Sequence, residues 1–320
     1  MLQAASTSPT GAAIPDGGRW RLFFGLSRTP HGLLDMATPA MAALLGLGRF
    51  PESGVMLLGL ATAFAGYTAV YALNDLIDYR ADQEKIAVQT GAPARHFDMD
   101  GILVPHPVAQ RLLPLRSGIL WFSFWAGLAL AGAWWLNPVC AILFLAVAVL
   151  EILYCKLLKV THLKIVPTAI VKASGGLVGI YAVDPNPSAG FVAVLLLWLA
   201  SWEIGGQNVA NDILDMEEDA RISARTVATV LGIRESVFII VAATSMAAVA
   251  GVAIYWLSGP RVGWIYPLGA AALGWKLLLG PARSLYHNPG SRTAASLFNQ
   301  ASYLPLAFLV LTVLSILVPF

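Results

Sequence analysis

Residues 54–82 read GVMLLGLATAFAGYTAVYALNDLIDYRAD. The first twenty, 54–73, carry no charge, and about twenty apolar residues are what a helix needs to cross a bilayer. The polar groups then arrive together as Asn74, Asp75, Asp78, Arg80 and Asp82. A single segment thus reads as a membrane span that ends in an acidic cluster. Residues 188–219 repeat the plan: a mostly apolar stretch closes on Asn211-Asp212-Ile213-Leu214-Asp215-Met216-Glu217-Glu218-Asp219. Both ends follow the pattern N-D-x-x-D-x-x-x-D.

The rest of the chain fits this reading. Apolar residues make up 58% of its 320 residues, charged residues only 12%, and mean hydropathy is +0.71. A water-soluble domain carries roughly 25% charged residues, so a soluble enzyme, a disordered chain and a fibrous repeat are excluded. The expected fold is an all-α polytopic membrane bundle of about nine transmembrane helices, at 31–48, 54–78, 117–136, 138–156, 164–183, 188–213, 235–258, 262–280 and 294–318. Residues 1–20 are expected to form a flexible tail without a signal peptide, and 21–320 a single transmembrane domain. A long loop is expected over about 79–116. Cys140 and Cys155 fall on one expected helix, about 22 Å apart, beyond disulfide reach. Nothing in the charge pattern suggests nucleic acid as a partner.

Charge placement orients the bundle. With the N-terminus cytoplasmic, seventeen of the 20 Lys and Arg fall on inner segments. Only Arg49 and Arg261 fall outside, and Lys172 lies within the fifth span. This is the positive-inside pattern. It puts both acidic clusters at the cytoplasmic face and the C-terminus outside.

On a helix, offsets of 0, 1, 4 and 8 share one face, so each motif projects an amide and three carboxylates to one side. Like charges so spaced at a membrane boundary need a compensating cation. Oxygen ligands without Cys or His favour a hard ion, Mg²⁺ before Ca²⁺. Two facing acidic helices with Mg²⁺ between them suit a diphosphate and its departure. The candidate catalytic and metal residues are therefore Asp75, Asp78, Asp82, Asp212, Asp215 and Asp219, with Asn74 and Asn211 beside them. Arg80 either holds a phosphate oxygen or neutralises its neighbours. Lys172 lies too deep to reach water, and intramembrane charges are functional by default; it is expected either to pair with Glu203 or to face an anionic acceptor. Asn208 and Gln207 are candidates for the cavity wall or for contacts between helices.

These residues resemble the UbiA superfamily of intramembrane prenyltransferases. The first motif is similar to that family's in full at Asn74, Asp75, Asp78 and Asp82. The second is similar at Asp215, Glu217, Asp219, Thr226 and Gly232, with Ser223 where the family has glycine. Tyr154, Lys159 and Thr161 look like a further family signature, which implies a substrate-binding role for Tyr154 and Lys159. The resemblance also implies that Arg28 meets an acceptor carboxylate. The stretch from Gly101 to His106 resembles the naphthoate-type members, with His106 in place of arginine.

The implied activity is Mg²⁺-dependent transfer of an isoprenoid chain from a prenyl diphosphate to a lipophilic or aromatic acceptor of the quinone-precursor type, within the lipid bilayer. A terpene cyclase or a phosphoribosyltransferase acting on lipid phosphate would use the same fold. A secondary transporter also carries intramembrane carboxylates, but its sites lie near the midplane on broken helices, whereas these acids lie at one face.

Overall fold

The structure, a computed structural model, describes residues 18–88, 103–260 and 262–318. The tail expected over 1–20 lies outside them as far as residue 17, as do Arg95, His96, Gly101 and Arg261. The described residues contain helices and no strand. Helix α1 spans Trp20–Leu26, α2 Thr29–Asp35, α3 Ala37–Leu47 and α4 Ser53–Val88. Next come α5 (Leu115–Leu136), α6 (Pro138–Lys156), α7 (Ile165–Tyr181) and α8 (Ala189–Trp202). A π-helical turn at Glu203–Asn208 leads into α9 (Val209–Leu214), α10 (Met216–Arg221), α11 (Val227–Leu231) and α12 (Ile233–Ala253). The chain closes with α13 (Ile265–Gly274), a π turn over Trp275–Leu279, α14 (Gly280–His287), α15 (Ser291–Ser302) and α16 (Leu304–Leu317).

Among the described residues, seven stretches are long and apolar enough to cross a membrane: Ser53–Ala87, Leu115–Leu136, Pro138–Lys156, His162–Tyr181, Ala189–Leu214, Ile233–Leu257 and Ser291–Leu317. The expected first span is divided at Met36 into α2 and α3, and the expected eighth is interrupted by the π turn after Gly274. Large apolar side chains point outward along α5 and α6, among them Leu120, Phe124, Trp134, Trp135, Ile142 and Val149. Such helices, apolar all round, belong in lipid. The protein is an integral, multi-pass membrane protein.

The ends of the spans are set locally. Asn137 breaks the chain between α5 and α6; its side chain accepts from Val139 N–H, and Pro138 opens α6. Ser188 caps α8 in the same way. Near the start of α4, Gly48 adopts φ +63 and sits against Gly259, whose N–H donates to Leu45 O at 2.8 Å. Packing inside the bundle is close: a Cβ on Gly179 of α7 would lie 2.2 Å from the carbonyl oxygen of Pro39 in α3. A core around Trp198, Trp202, Tyr266 and Phe308 joins α8, α13 and α16.

The loop expected from residue 79 starts later, because α4 continues three turns beyond the apolar stretch, to Val88. Residues after 103 are also fixed: Val108 and Leu113 pack with Leu26, Ala72 and Leu76.

Candidate active site

The first motif lies on unbroken helix. Asp75, Asp78, Asp82 and Lys85 follow at steps of three and four, one stripe of α4. Asp75 is 1% exposed, and its Oδ2 is buried without a hydrogen-bond partner. Asn74 turns toward α6, donating from Nδ2 to Glu151 Oε1 at 2.7 Å and to Cys155 Sγ at 3.5 Å.

The second motif does not share a single helical face, contrary to expectation. The helix ends at Leu214, Asp215 takes φ −92 and ψ 4, and Glu217, Glu218 and Asp219 continue on α10. Four acids within five residues repel one another along one helix, and the break relieves this. Asn211 Nδ2 holds Asp215 Oδ2 at 3.0 Å across it. Asp212 is buried and its Oδ2 accepts from Val227 N–H at 2.9 Å, at the start of α11.

The two motifs nevertheless face each other. Lys85 Nζ, from the stripe of the first, lies 2.8 Å from Asp219 Oδ1 of the second. His106 enters from the ordered segment after residue 103. Its Nδ1 is 2.6 Å from Asp75 Oδ1 and 2.9 Å from Asp82 Oδ2. The residue adopts φ +48, rare away from glycine, and the segment is pinned by Val104 O, which a Cβ on Gly25 would meet at 2.2 Å. Burial disfavours the imidazolium, but hydrogen bonds to Asp75 and Asp82 outweigh it and push the His106 pKa up to about 9. Lys85 and His106 thus bring positive charge between carboxylates. Asp75, Asp82 and His106 offer ligand atoms within 4.8 Å of one another. The carboxylate oxygens of Asp75 and Asp82, with Asp75 Oδ2 unpartnered, fit a hard divalent cation.

A cavity of about 1580 Å³ runs from Asp82 into the bundle, with the buried Asp75 behind its wall. Its mouth is lined by Asn74, Asp78, Asp82, Lys85, His106, Asn211, Asp212, Asp215 and Asp219. Arg28, Tyr154, Lys172 and Asn208 line it as well. Lys164, 4% exposed, donates to the Tyr154 hydroxyl at 3.3 Å and lies over its ring. Deeper still, Lys172 Nζ lies 2.5 Å from Asp35 Oδ2 and 2.7 Å from the Tyr71 hydroxyl, which itself donates to Asp35. Lys172 therefore pairs by hydrogen bond with Asp35, not with Glu203, and its charge is matched before any acceptor enters.

Two expected substrate ligands lie elsewhere. Lys159 is exposed and pairs with Glu84, outside the cavity wall; Lys164 is the lysine of that region which reaches the cavity. Arg80 is exposed, with Nε donating to the neighbouring Tyr79 hydroxyl at 3.0 Å. It points away because its phase on α4 differs from that of Asp78 and Asp82. Sequence reasoning passed over Lys85 and Tyr71. Lys85 was signalled by its step of three from Asp82; Tyr71 carried no signal, since only the α2–α4 packing gives it a role.

Fold and site together define an intramembrane helical enzyme with a carboxylate-lined mouth. The model of the UbiA prenyltransferase family matches residues 36–304, and the chain belongs to that family. No curated protein matches it. Among solved structures, one described as digeranylgeranylglyceryl phosphate synthase is similar over 93% of this chain and 99% of its own, at 17% identity and TM-score 0.67. A UbiA homologue from Aeropyrum pernix K1 is similar over 88% of this chain and 97% of its own, at 18% identity and TM-score 0.65. A third, a UbiA homologue from Archaeoglobus fulgidus bound to DMAPP and Mg²⁺, covers 92% of this chain and 99% of its own, at 12% identity and TM-score 0.64.

Proposed function

We propose that the protein transfers an isoprenoid chain from an allylic prenyl diphosphate to an electron-rich aromatic acceptor of the quinone-precursor type, with Mg²⁺ at the two acidic motifs. The observation that carries this reading is the meeting of the motifs at one cavity mouth, where Lys85 joins Asp219. The Archaeoglobus fulgidus homologue, bound to DMAPP or GPP with Mg²⁺, supports the choice of donor and metal.

Asp75, Asp78, Asp82, Asp212, Asp215 and Asp219 would hold the metal. When bound, Mg²⁺ neutralises the diphosphate and the charge it gains on leaving. Lys85, Lys164 and Asn211 line the mouth and add donors to diphosphate oxygens. The bond between C1 and oxygen breaks, and its electron pair stays with the diphosphate. An electron pair of the acceptor forms the new bond to C1, and the acceptor gives up one proton. The apolar walls below the mouth keep water from the allylic cation. The positive-inside pattern supports a mouth on the cytoplasmic side, with the C-terminus opposite.

Purified protein with Mg²⁺ and a radiolabelled prenyl diphosphate is expected to release diphosphate and alkylate a quinone-precursor phenol. Asp75→Asn or Asp212→Asn is expected to lower the rate by roughly 10²-fold or more. Undiminished turnover in EDTA would reject the reading. A hydrocarbon formed without any acceptor would identify a cyclase.

A further inference from the structure

The deep end of the cavity has an excess of hydrogen-bond acceptors. Glu203 is 4% exposed and lines the cavity, and its Oε2 is buried with no hydrogen-bond partner. Five residues on, Asn208 also lines the cavity, and its Oδ1 is buried and unpartnered too. The π-helical turn Glu203–Asn208 begins with one and ends with the other. In a π turn, residues five apart stand above one another, so the two orphan oxygens belong to one stripe of the wall. Gly205 lets this turn press on α12, since a Cβ there would come within 2.9 Å of Thr244 N. Leaving buried acceptors unmade is costly, and π turns of this kind recur at functional sites.

The cation nearest to hand does not serve them by hydrogen bonding: Lys172 Nζ bonds to Asp35 and to the Tyr71 hydroxyl. This part of the pocket therefore presents acceptors, with its ammonium already matched by a carboxylate. The Asn208 amide is engaged with Glu203, which leaves Glu203 Oε2 and Asn208 Oδ1 unpartnered, and the Asp35 and Glu203 carboxyl groups disfavour a third. Glu203 also lies nine residues before Asp212, at most about 13 Å along the helix axis since the π turn is wider and shorter than an α-helix, which leaves room for a small ring between it and the diphosphate mouth.

We propose that Glu203 and Asn208 form the anchoring subsite for the acceptor, and that the acceptor is a neutral ring bearing a hydroxyl, whose O–H donates to Glu203. The hydroxyl end points into the bundle and the opposite edge of the ring faces C1 of the donor. The proposal rests on the prenyl-transfer reading and names its acceptor class. It differs from a carboxylate anchored by Arg28, which lines the same cavity.

The test uses the full chain in lipid nanodiscs with Mg²⁺. Hydroquinone, and separately benzoate as a carboxylate without hydroxyl, are titrated in the presence of a non-hydrolysable prenyl diphosphate analogue. Binding is followed by calorimetry, and prenylation is followed with the natural donor. Hydroquinone is expected to bind and benzoate is not. Glu203→Gln, close in shape, is expected to weaken hydroquinone binding and raise its KM by about tenfold or more, with donor affinity retained. Asn208→Leu is expected to act in the same direction. Equal or better binding of benzoate, or an unchanged hydroquinone affinity in Glu203→Gln, overturns the proposal. A loss of donor affinity in Glu203→Gln also overturns it, as a merely structural effect. Failure of the prenyl-transfer reading is a separate result: wild-type protein then neither binds nor ionises the donor, whereas hydroquinone binding is still scored against Glu203→Gln.

Discussion

Asp35 and Lys172 show what one buried charge demands of another. Lys172→Met would leave Asp35 deep in the bundle beside Tyr71 with its counter-ion gone. Removing one member of a buried pair costs about 3–5 kcal/mol, while replacing both is much milder. Unfolding in mixed micelles is expected to show a large loss for Lys172→Met and partial recovery in Asp35→Asn/Lys172→Met; a double variant less stable than the single one would break the pairing argument. At the mouth, His106 gives a pH dependence. Its folded pKa of about 9 stands above the ordinary 6.5. Its contribution to stability in metal-free protein is therefore complete below about pH 6.5 and lost as pH rises through 9. Thermal unfolding in EDTA is expected to fall across that window in the wild type and to stay flatter in His106→Gln.

Individual helices mark where sequence reading succeeds and where tertiary structure takes over. Spacing along α4 places Asp75, Asp78 and Asp82 on one face because nothing interrupts that helix, and the same count extends to Lys85. It fails over 211–219, where a turn at Asp215 intervenes, and at 203–208, where one extra residue enters the turn. Neither irregularity alters the apolar pattern from which spans are read. The resemblance to a family signature implies a ligand role for Lys159, yet Lys164 reaches the cavity, since the turn at Leu157–Thr161 precedes α7 and redirects the chain. His106 lay beyond reach of periodicity, because a packed segment at positive φ delivers it. Helix crossings carry the same lesson in energetic form. At Gly179 the neighbour of an added Cβ is the Pro39 backbone, 2.2 Å away at its oxygen and 2.6 Å at its Cα. Gly179→Ala is expected to force α3 and α7 apart and cost about 1–3 kcal/mol, read as a lower melting temperature in detergent. Gly59→Ala is a control, as its added Cβ meets nothing within 4 Å.

Across the whole molecule, the cavity relates the acidic mouth to the opposite side of the bundle. Val55, Gly59, Ala63, Gly66, Val70, Asn74 and Asp78 all line it, in steps of three and four along α4. From Asp78 to Val55 that stripe is about 35 Å long at 1.5 Å per residue, comparable to the hydrocarbon thickness of a bilayer. Its walls are mostly apolar where a prenyl tail would lie, with Met56, Leu60 and Phe144 beside Thr62. A tail threaded along α4 would pass Gly66 at about 18 Å from Asp78 and Gly59 at about 28 Å. Filling those positions should therefore cut off donors by length. Gly66→Phe is expected to lower kcat/KM about tenfold or more for donors of twenty carbons and above while sparing a five-carbon donor, because the blocked tail loses its apolar burial. Gly59→Phe is expected to spare donors of intermediate length and affect only the longest. A donor series assayed on both variants decides the matter. Undiminished kcat/KM at every chain length would mean that the tail leaves sideways between helices, close to the mouth, instead of following α4 through the bundle.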